Sequence, residues 1–166
     1  MENVTGGGGG GSPRRVVVAV DESEESMHAL SWCLSNVVSA AAKSPAAAPP
    51  PAVVLVHARP ARPLYYPVID GGGYVLTQEV MDSMDRYMAT AADSVVKVET
   101  RVEKGDPRDV ICGAVEKAGA DMVVMGSHGY GFLQRTLLGS VSNHCVQHCK
   151  CPVVVVKRPG TNAKAF

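Results

Sequence analysis

Short β-branched apolar runs alternate along the chain with segments of helical periodicity. RVVVAV (15–20) ends at Asp21, VVLVHA fills 53–58, VKVETRV alternates apolar and polar over 96–102, MVVM fills 122–125 and VVVV fills 153–156. Such runs read as strands, and the unalternating ones as strands buried on both faces. Met27, Leu30, Leu34, Val37 and Val38 recur at helical spacing and predict a first helix to about residue 40. Asp21 or Ser23 caps it, and Glu22, Glu24 and Glu25 in its first turn oppose the helix dipole. Leu76, Val80, Met84, Tyr87 and Ala91 share one face of a second helix over 74–93. Asp106 and Pro107 open a third helix, Val110, Ile111, Ala114 and Val115 form its inner side, and Gly119 ends it. A fourth helix is expected over 139–149.

The order βαβαβαβαβ implies a parallel sheet with helices on both faces and right-handed crossovers. The Ala/Pro-rich stretch 43–51 and the Gly/Pro-rich stretch 59–73 read as loops. Residues 1–13, with a tract of six glycines, read as a disordered tail; one domain then covers 14–158, followed by a tail over 159–166.

Composition narrows the function classes. Lys+Arg and Asp+Glu both number 16, so the neutral chain carries no electrostatic footprint for nucleic acid or an anionic membrane. No apolar run is long enough to span a bilayer, and the start lacks the basic and apolar regions of a secretory signal. Glu2 stands where N-myristoylation needs glycine. A cytoplasmic location is expected, and the odd count of five cysteines fits free thiols.

In an open parallel sheet the ligand crevice lies beyond the C-terminal strand ends, where the strand order reverses. Asp21 follows the first strand, and GSHGYGFLQRTLLGSVS (126–142) follows the fourth. Gly126 and Gly129 are three apart, and Gly139-Ser140 follow after nine intervening residues. Glycines there let the backbone approach a ligand closely. Gly139-Ser140-Val141-Ser142 opens a helix whose free amides and hydroxyls can cradle phosphate. Asp21 can accept from ribose hydroxyls across the crevice. The same loop can also be only a capped turn.

The spacing G-x2-G-x9-G-S after a fourth strand resembles the ATP-binding motif of the universal stress protein family. VVVAVDESEES, GDPRDVI, DMVVMGSHG and LGSVSNHCVQHCKCPVVVVK support the likeness, which runs from Arg14 to about Arg158 and looks closest to plant single-domain members. The resemblance implies an α/β, three-layer, Rossmann-like fold of the adenine nucleotide alpha hydrolase-like kind, with a five-stranded parallel sheet of order 3-2-1-4-5. It implies an adenine nucleotide as ligand (ATP, or AMP or ADP, with or without Mg2+). Ala19, Val20, Asp21 and Ser23 would hold adenine and ribose, and Ala58 would contact the base. Met125, Gly126, His128 and Gly129 would wrap ribose and phosphates, and Gly139, Ser140, Val141 and Ser142 would bind the phosphates. The family often has Thr or Pro just before the aspartate, where this chain has Ala19-Val20. Its second helix usually continues further, so here the helix is expected to unwind early, near 91–94. A homodimer formed through the edge strand Val153–Val156 is also implied, since a bare edge of valines invites association.

Other constellations carry less. His144 and His148 share a helix face, which can suit zinc, but the resemblance makes this helix a packing element with Cys145 and Cys149 on its core side. No metal is expected. Arg135 and Gln134 read as solvated. No Ser, Cys or carboxylate is spaced to form a triad with His128, and Gln134 breaks a G-x-G-x-x-G fingerprint at Gly129-x-Gly131. The expected function is therefore a nucleotide-binding stress or signalling module without a catalytic centre. Two alternatives stand beside it: a slow ATP hydrolase or phosphotransferase, and an interaction protein that has lost its nucleotide.

Overall fold

The computed structural model describes residues 12–21, 23–43, 49–59, 82, 97–128 and 138–159. Strands β1 (Arg15–Ala19), β2 (Ala52–Arg59), β3 (Val98–Lys104), β4 (Met122–Gly126) and β5 (Val153–Val156) form one parallel sheet in the order 3-2-1-4-5. Helices α1 (Glu24–Cys33), α2 (Ser39–Ala42), α3 (Pro107–Ala118) and α4 (Ser140–His148) connect them. Alternation along each strand divides the core in two. Val16, Val18, Val53, Leu55 and Val124 pack with Ala29, Leu30 and Cys33 of α1. Val17, Val54, Val56, Val123 and Met125 pack with Val110, Ile111 and Ala114 of α3 and Cys145 of α4. Val17, Val18, Val53, Val123 and Val124 are fully buried. Each buried valine contributes about 1.5–3 kcal/mol, so strands β1, β2 and β4 hold the fold.

Most elements follow the sequence pattern, with instructive differences. β3 begins at Val98 instead of 96. Its apolar residues do not share a buried face: Val98 is half-buried, but Val102 is 43% exposed while Arg101 and Glu103 are half-buried, as suits a strand at the sheet edge. The first helix continues past Cys33 through a π-helical stretch, Leu34–Val38, into α2. There the Ser39 amide donates to the Leu34 carbonyl five residues back. The Asn36 side chain donates to the Trp32 carbonyl at 3.0 Å, competing with the Asn36 backbone for that acceptor. Asp106 caps α3 through the Arg108 amide, and Gly119 closes it in the left-handed region at φ 57°. The expected second helix over 74–93 and its unwinding near 91–94 lie outside the described residues, except Asp82, which is helical.

The N-terminal end of the sheet is closed. The Arg15 amide donates to Asp121 Oδ2 at 2.7 Å, the Asp121 amide donates to the Arg15 carbonyl at 2.8 Å, and the Arg15 guanidinium donates to the Ala118 carbonyl at 2.7 Å. The opposite end is where β1 and β4 separate.

Candidate functional site

The β1–β4 pairing runs from Val16–Met122 to Val18–Val124. Beyond it each strand turns to its outer neighbour. The Val20 amide donates to the Val56 carbonyl at 2.9 Å, and the Ser127 amide donates to the Val156 carbonyl at 3.2 Å. The ends of β1 and β4 are thus bonded away from each other, and the strand order reverses between them. This is the topological switch point at which open α/β sheets take ligands.

One wall of the mouth is the turn between β1 and α1. Asp21 is half-buried, and its Oδ1 accepts both the Ser23 amide at 2.9 Å and the Ser23 hydroxyl. Ser23 Oγ in turn accepts the Ser26 amide at 3.2 Å, capping α1. The Ser26 hydroxyl donates to the Asp21 carbonyl at 2.9 Å and accepts the Asp21 amide at 3.0 Å. Asp21 is therefore clamped on backbone and side chain, and its carboxylate holds a fixed position at the end of β1. The Asp-x-Ser-x-x-Ser spacing in the sequence carries this clamp; Ser26 is the member that helix periodicity alone does not single out.

The other wall is α4. Gly139 is its N-cap, and among the described residues no side chain caps the helix. The first helical bond runs from the Asn143 amide to the Gly139 carbonyl at 2.9 Å. The amides of Ser140, Val141 and Ser142 consequently point out of the helix N-terminus, where the dipole favours an anion. The Gly139 amide is engaged differently: it donates to the Ser127 carbonyl at 2.7 Å. Ser142 is buried, and its hydroxyl lies 2.9 Å from the Ser127 carbonyl and 3.1 Å from the Gly139 carbonyl. Gly139 and Ser142 thus fasten the helix to the end of β4, while Ser140 and Val141 present amides to the mouth. This cradle matches a phosphate in donor chemistry.

Gly126 has a structural reason of its own. A Cβ there would lie 3.0 Å from both the carbonyl carbon and the carbonyl oxygen of Glu25, so the first turn of α1 packs on bare backbone. Ala19 and Met125 are buried and Ala58 is partly buried on the α3 side of the sheet, and Val20 is buried on the α1 side. His128 is half-buried, with its Nδ1 3.1 Å from Ser127 Oγ. Gly129, Gln134 and Arg135 lie outside the described residues.

His57 escaped the sequence reading. It is 8% exposed, and its Nδ1 is 2.9 Å from the Val20 carbonyl. A carbonyl can only accept, so Nδ1 carries the proton. The bond fixes the last peptide before Asp21 from the β2 side. A single polar residue inside the apolar run VVLVHA was its signal.

Burial disfavours the thiolate at Cys33, Cys145 and Cys149. Burial pushes the Cys33 thiol up to about 11. Burial, with a hydrogen bond to Cys112, pushes Cys149 up to about 12, and burial raises Cys145 as well. The stacked rings of His144 and His148 lie 4.0 Å apart, and His148 Nδ1 donates to the His144 carbonyl at 2.9 Å, so the pair is occupied with itself and its own helix. Among the described residues, no helix is long and apolar enough to cross a membrane.

Known proteins share this architecture. A universal stress protein A-like protein of Arabidopsis thaliana is 44% identical over 63 residues, 38% of this chain and 36% of the relative. The chain spans between 36% and 62% of the length of the first curated relatives it matches. The solved structure of MJ0577, a universal stress protein of Methanocaldococcus jannaschii, superposes with a TM-score of 0.62 at 26% identity, covering 89% of this chain and 98% of that one. A universal stress protein family structure from Arabidopsis thaliana with AMP bound superposes with a TM-score of 0.58 at 23% identity, covering 92% of this chain and 97% of that one. With the universal stress protein family model matching residues 13–157, nearly the whole described domain, this chain belongs to that family.

Proposed function

We propose that this chain binds an adenine nucleotide, AMP, ADP or ATP, in the mouth between β1 and β4, and works as a nucleotide-responsive stress or signalling module. The observation that carries this reading is the N-terminus of α4, fastened by Gly139 and Ser142 to the Ser127 carbonyl beside the end of β4. The Ser140 and Val141 amides, with the helix dipole behind them, are the phosphate donors. Asp21, held by Ser23 and Ser26, accepts from the ribose hydroxyls. Ala19, Val20 and Ala58 supply an apolar surface for the base. The AMP-bound relative supports the ligand class through the shared fold.

A binding role fits these groups better than catalysis. Asp21 Oδ1 already accepts two donors from Ser23, which suits a positioning carboxylate more than a base that must take up a proton. Nucleotide occupancy bridges α4 to the β1–α1 turn, and the difference in affinity between bridged and open forms sets the response. The half-buried valines of β5 form one edge of the sheet. We assign that edge to antiparallel pairing with a second copy, giving a two-fold dimer in the cytoplasm.

The test is direct. The purified full chain is denatured and the released small molecules are identified, and stripped protein is titrated with AMP and ATP by calorimetry. Co-purified adenine nucleotide, or one-to-one binding, supports the reading. An empty chain that takes up neither nucleotide overturns it, and steady phosphate release abolished by Asp21→Ala would instead make it a hydrolase.

A further inference from the structure

Helices α3 and α4 bring three thiols together that are far apart in sequence. Cys145 lies on α4, and Cys149, four residues on, is its C-cap residue, whose amide donates to the Cys145 carbonyl at 2.9 Å. Cys112 comes from the middle of α3. Its Sγ is 3.5 Å from that of Cys149, and all three Sγ atoms lie within 4.8 Å of one another. All three are free. Cys149 lies nine residues beyond Ser140, which is about 14 Å along a helix at 1.5 Å per residue. The cluster is therefore separate from the nucleotide mouth.

The geometry is that of a ligand set. Three sulfurs bound at about 2.3 Å to a central ion stand about 3.8–4.0 Å apart in tetrahedral or trigonal arrangement. With no separation above 4.8 Å, a central ion would start within about 2.8 Å of each sulfur. Shifts of a few tenths of an ångström then complete the bonds. The three donors are all sulfur, which selects soft cations over Mg2+ or Ca2+. Cys145 is buried at the base of the cluster, whereas Cys112 and Cys149 are half-exposed and leave a path for entry.

We propose that Cys112, Cys145 and Cys149 form a three-thiolate site for a soft closed-shell cation, Cu+ bound by the three alone or Zn2+ with a solvent molecule as the fourth ligand. Loading exchanges the thiol protons for the ion and releases them to solvent, with no change of oxidation state. The ion would pin α3 to α4 and so brace the helix that carries the phosphate cradle.

The experiment uses the full chain, reduced without added thiols, stripped with chelator and kept anaerobic. It is titrated separately with Cu+ and Zn2+ against a chromophoric competitor. One equivalent of at least one ion is expected, with a raised unfolding midpoint, since an ion bound only by the folded state stabilises it. Cys112→Ala and Cys149→Ala should each weaken binding at least 100-fold while retaining the helical circular dichroism of the metal-free parent. His144→Ala should leave affinity unchanged. Absence of stoichiometric binding by both ions, binding that survives Cys112→Ala, or binding lost in His144→Ala overturns the site. Because Cys112 lies outside the nucleotide mouth, these outcomes are independent of whether AMP binds.

Discussion

The Ser127 carbonyl accepts the Gly139 amide at 2.7 Å and lies 2.9 Å from the Ser142 hydroxyl. One peptide at the end of β4 thereby fixes the N-terminus of α4, the two being joined by a chain segment of eleven residues (128–138). This peptide sets the orientation of the phosphate cradle.

Ser142→Ala should lower stability by about 1 kcal/mol. The Ser127 carbonyl keeps the Gly139 amide when the hydroxyl is lost, so no buried acceptor is left bare and the loss stays near the net worth of one hydrogen bond. The measurement is urea unfolding, where the midpoint should fall and the slope should stay constant. A loss above about 3 kcal/mol would mean that the hydroxyl does more than these two contacts show.

Gly126→Ala should cost more, about 1–3 kcal/mol. Its methyl would meet Glu25 backbone atoms at 3.0 Å, and backbone at a helix start cannot rotate away as a flexible side chain can. The same unfolding series ranks the two variants. If Gly126→Ala proves as stable as the parent, the first turn of α1 does not rest on β4 as described.

How far the sequence reaches is clear from particular residues. The unmixed β-branched runs mark β1, β2 and β4, because burial on both faces leaves an apolar signature, whereas the edge strand β3 shows only an alternating run. Asp106, Pro107 and Gly119 bounded α3 correctly, because caps act through local chemistry. The spacing of Gly126, Gly139 and Ser140 marked the crevice, yet it did not tell which job each residue does. Gly126 makes room for a helix turn and Ser142 ties a helix down, and both are long-range contacts that periodicity does not encode. His57 and Cys112 were passed over for the same reason: each acquires its partner, Val20 or Cys149, only when the strands or helices are side by side. The π-helical turn at Leu34–Val38 depends on the competition at the Trp32 carbonyl, which a hydrophobic pattern does not register.

The Asp106 cap makes part of the stability acid-sensitive. Arg108, through its side chain and then its amide, holds the Asp106 carboxyl down at about 2, against 3.8 for an unperturbed aspartate. The folded value is the lower one, so the unfolded chain binds the proton more readily. The stabilising contribution is complete above about 3.8 and is lost as the pH falls through about 2. Asp106→Asn, which keeps an accepting oxygen but not the charge, should flatten the fall in stability between pH 4 and pH 2, a window set by those two values. Unfolding midpoints collected across that window check it; an unchanged slope in the variant would assign the acid sensitivity to other carboxyls.

The phosphate cradle can be tested without disturbing the helix that forms it. Ser140 is the first helical residue of α4, where proline is tolerated because its missing amide had no intrahelical partner. Gly139 before it has φ −70° and ψ 167°, the extended conformation that a residue preceding proline prefers. Ser140→Pro therefore deletes one amide donor and leaves the fold intact. A hydrogen bond to a charged group is worth about 1.5–3 kcal/mol, which corresponds to a loss of about 10- to 100-fold in affinity for AMP or ATP. Ser140→Ala keeps the amide and removes only the exposed hydroxyl, so its affinity should stay within a few-fold of the parent. Calorimetric titration of both variants, with unfolding midpoints alongside, separates backbone from side-chain recognition. If Ser140→Pro binds nucleotide as tightly as the parent, the phosphates do not sit on the N-terminus of α4.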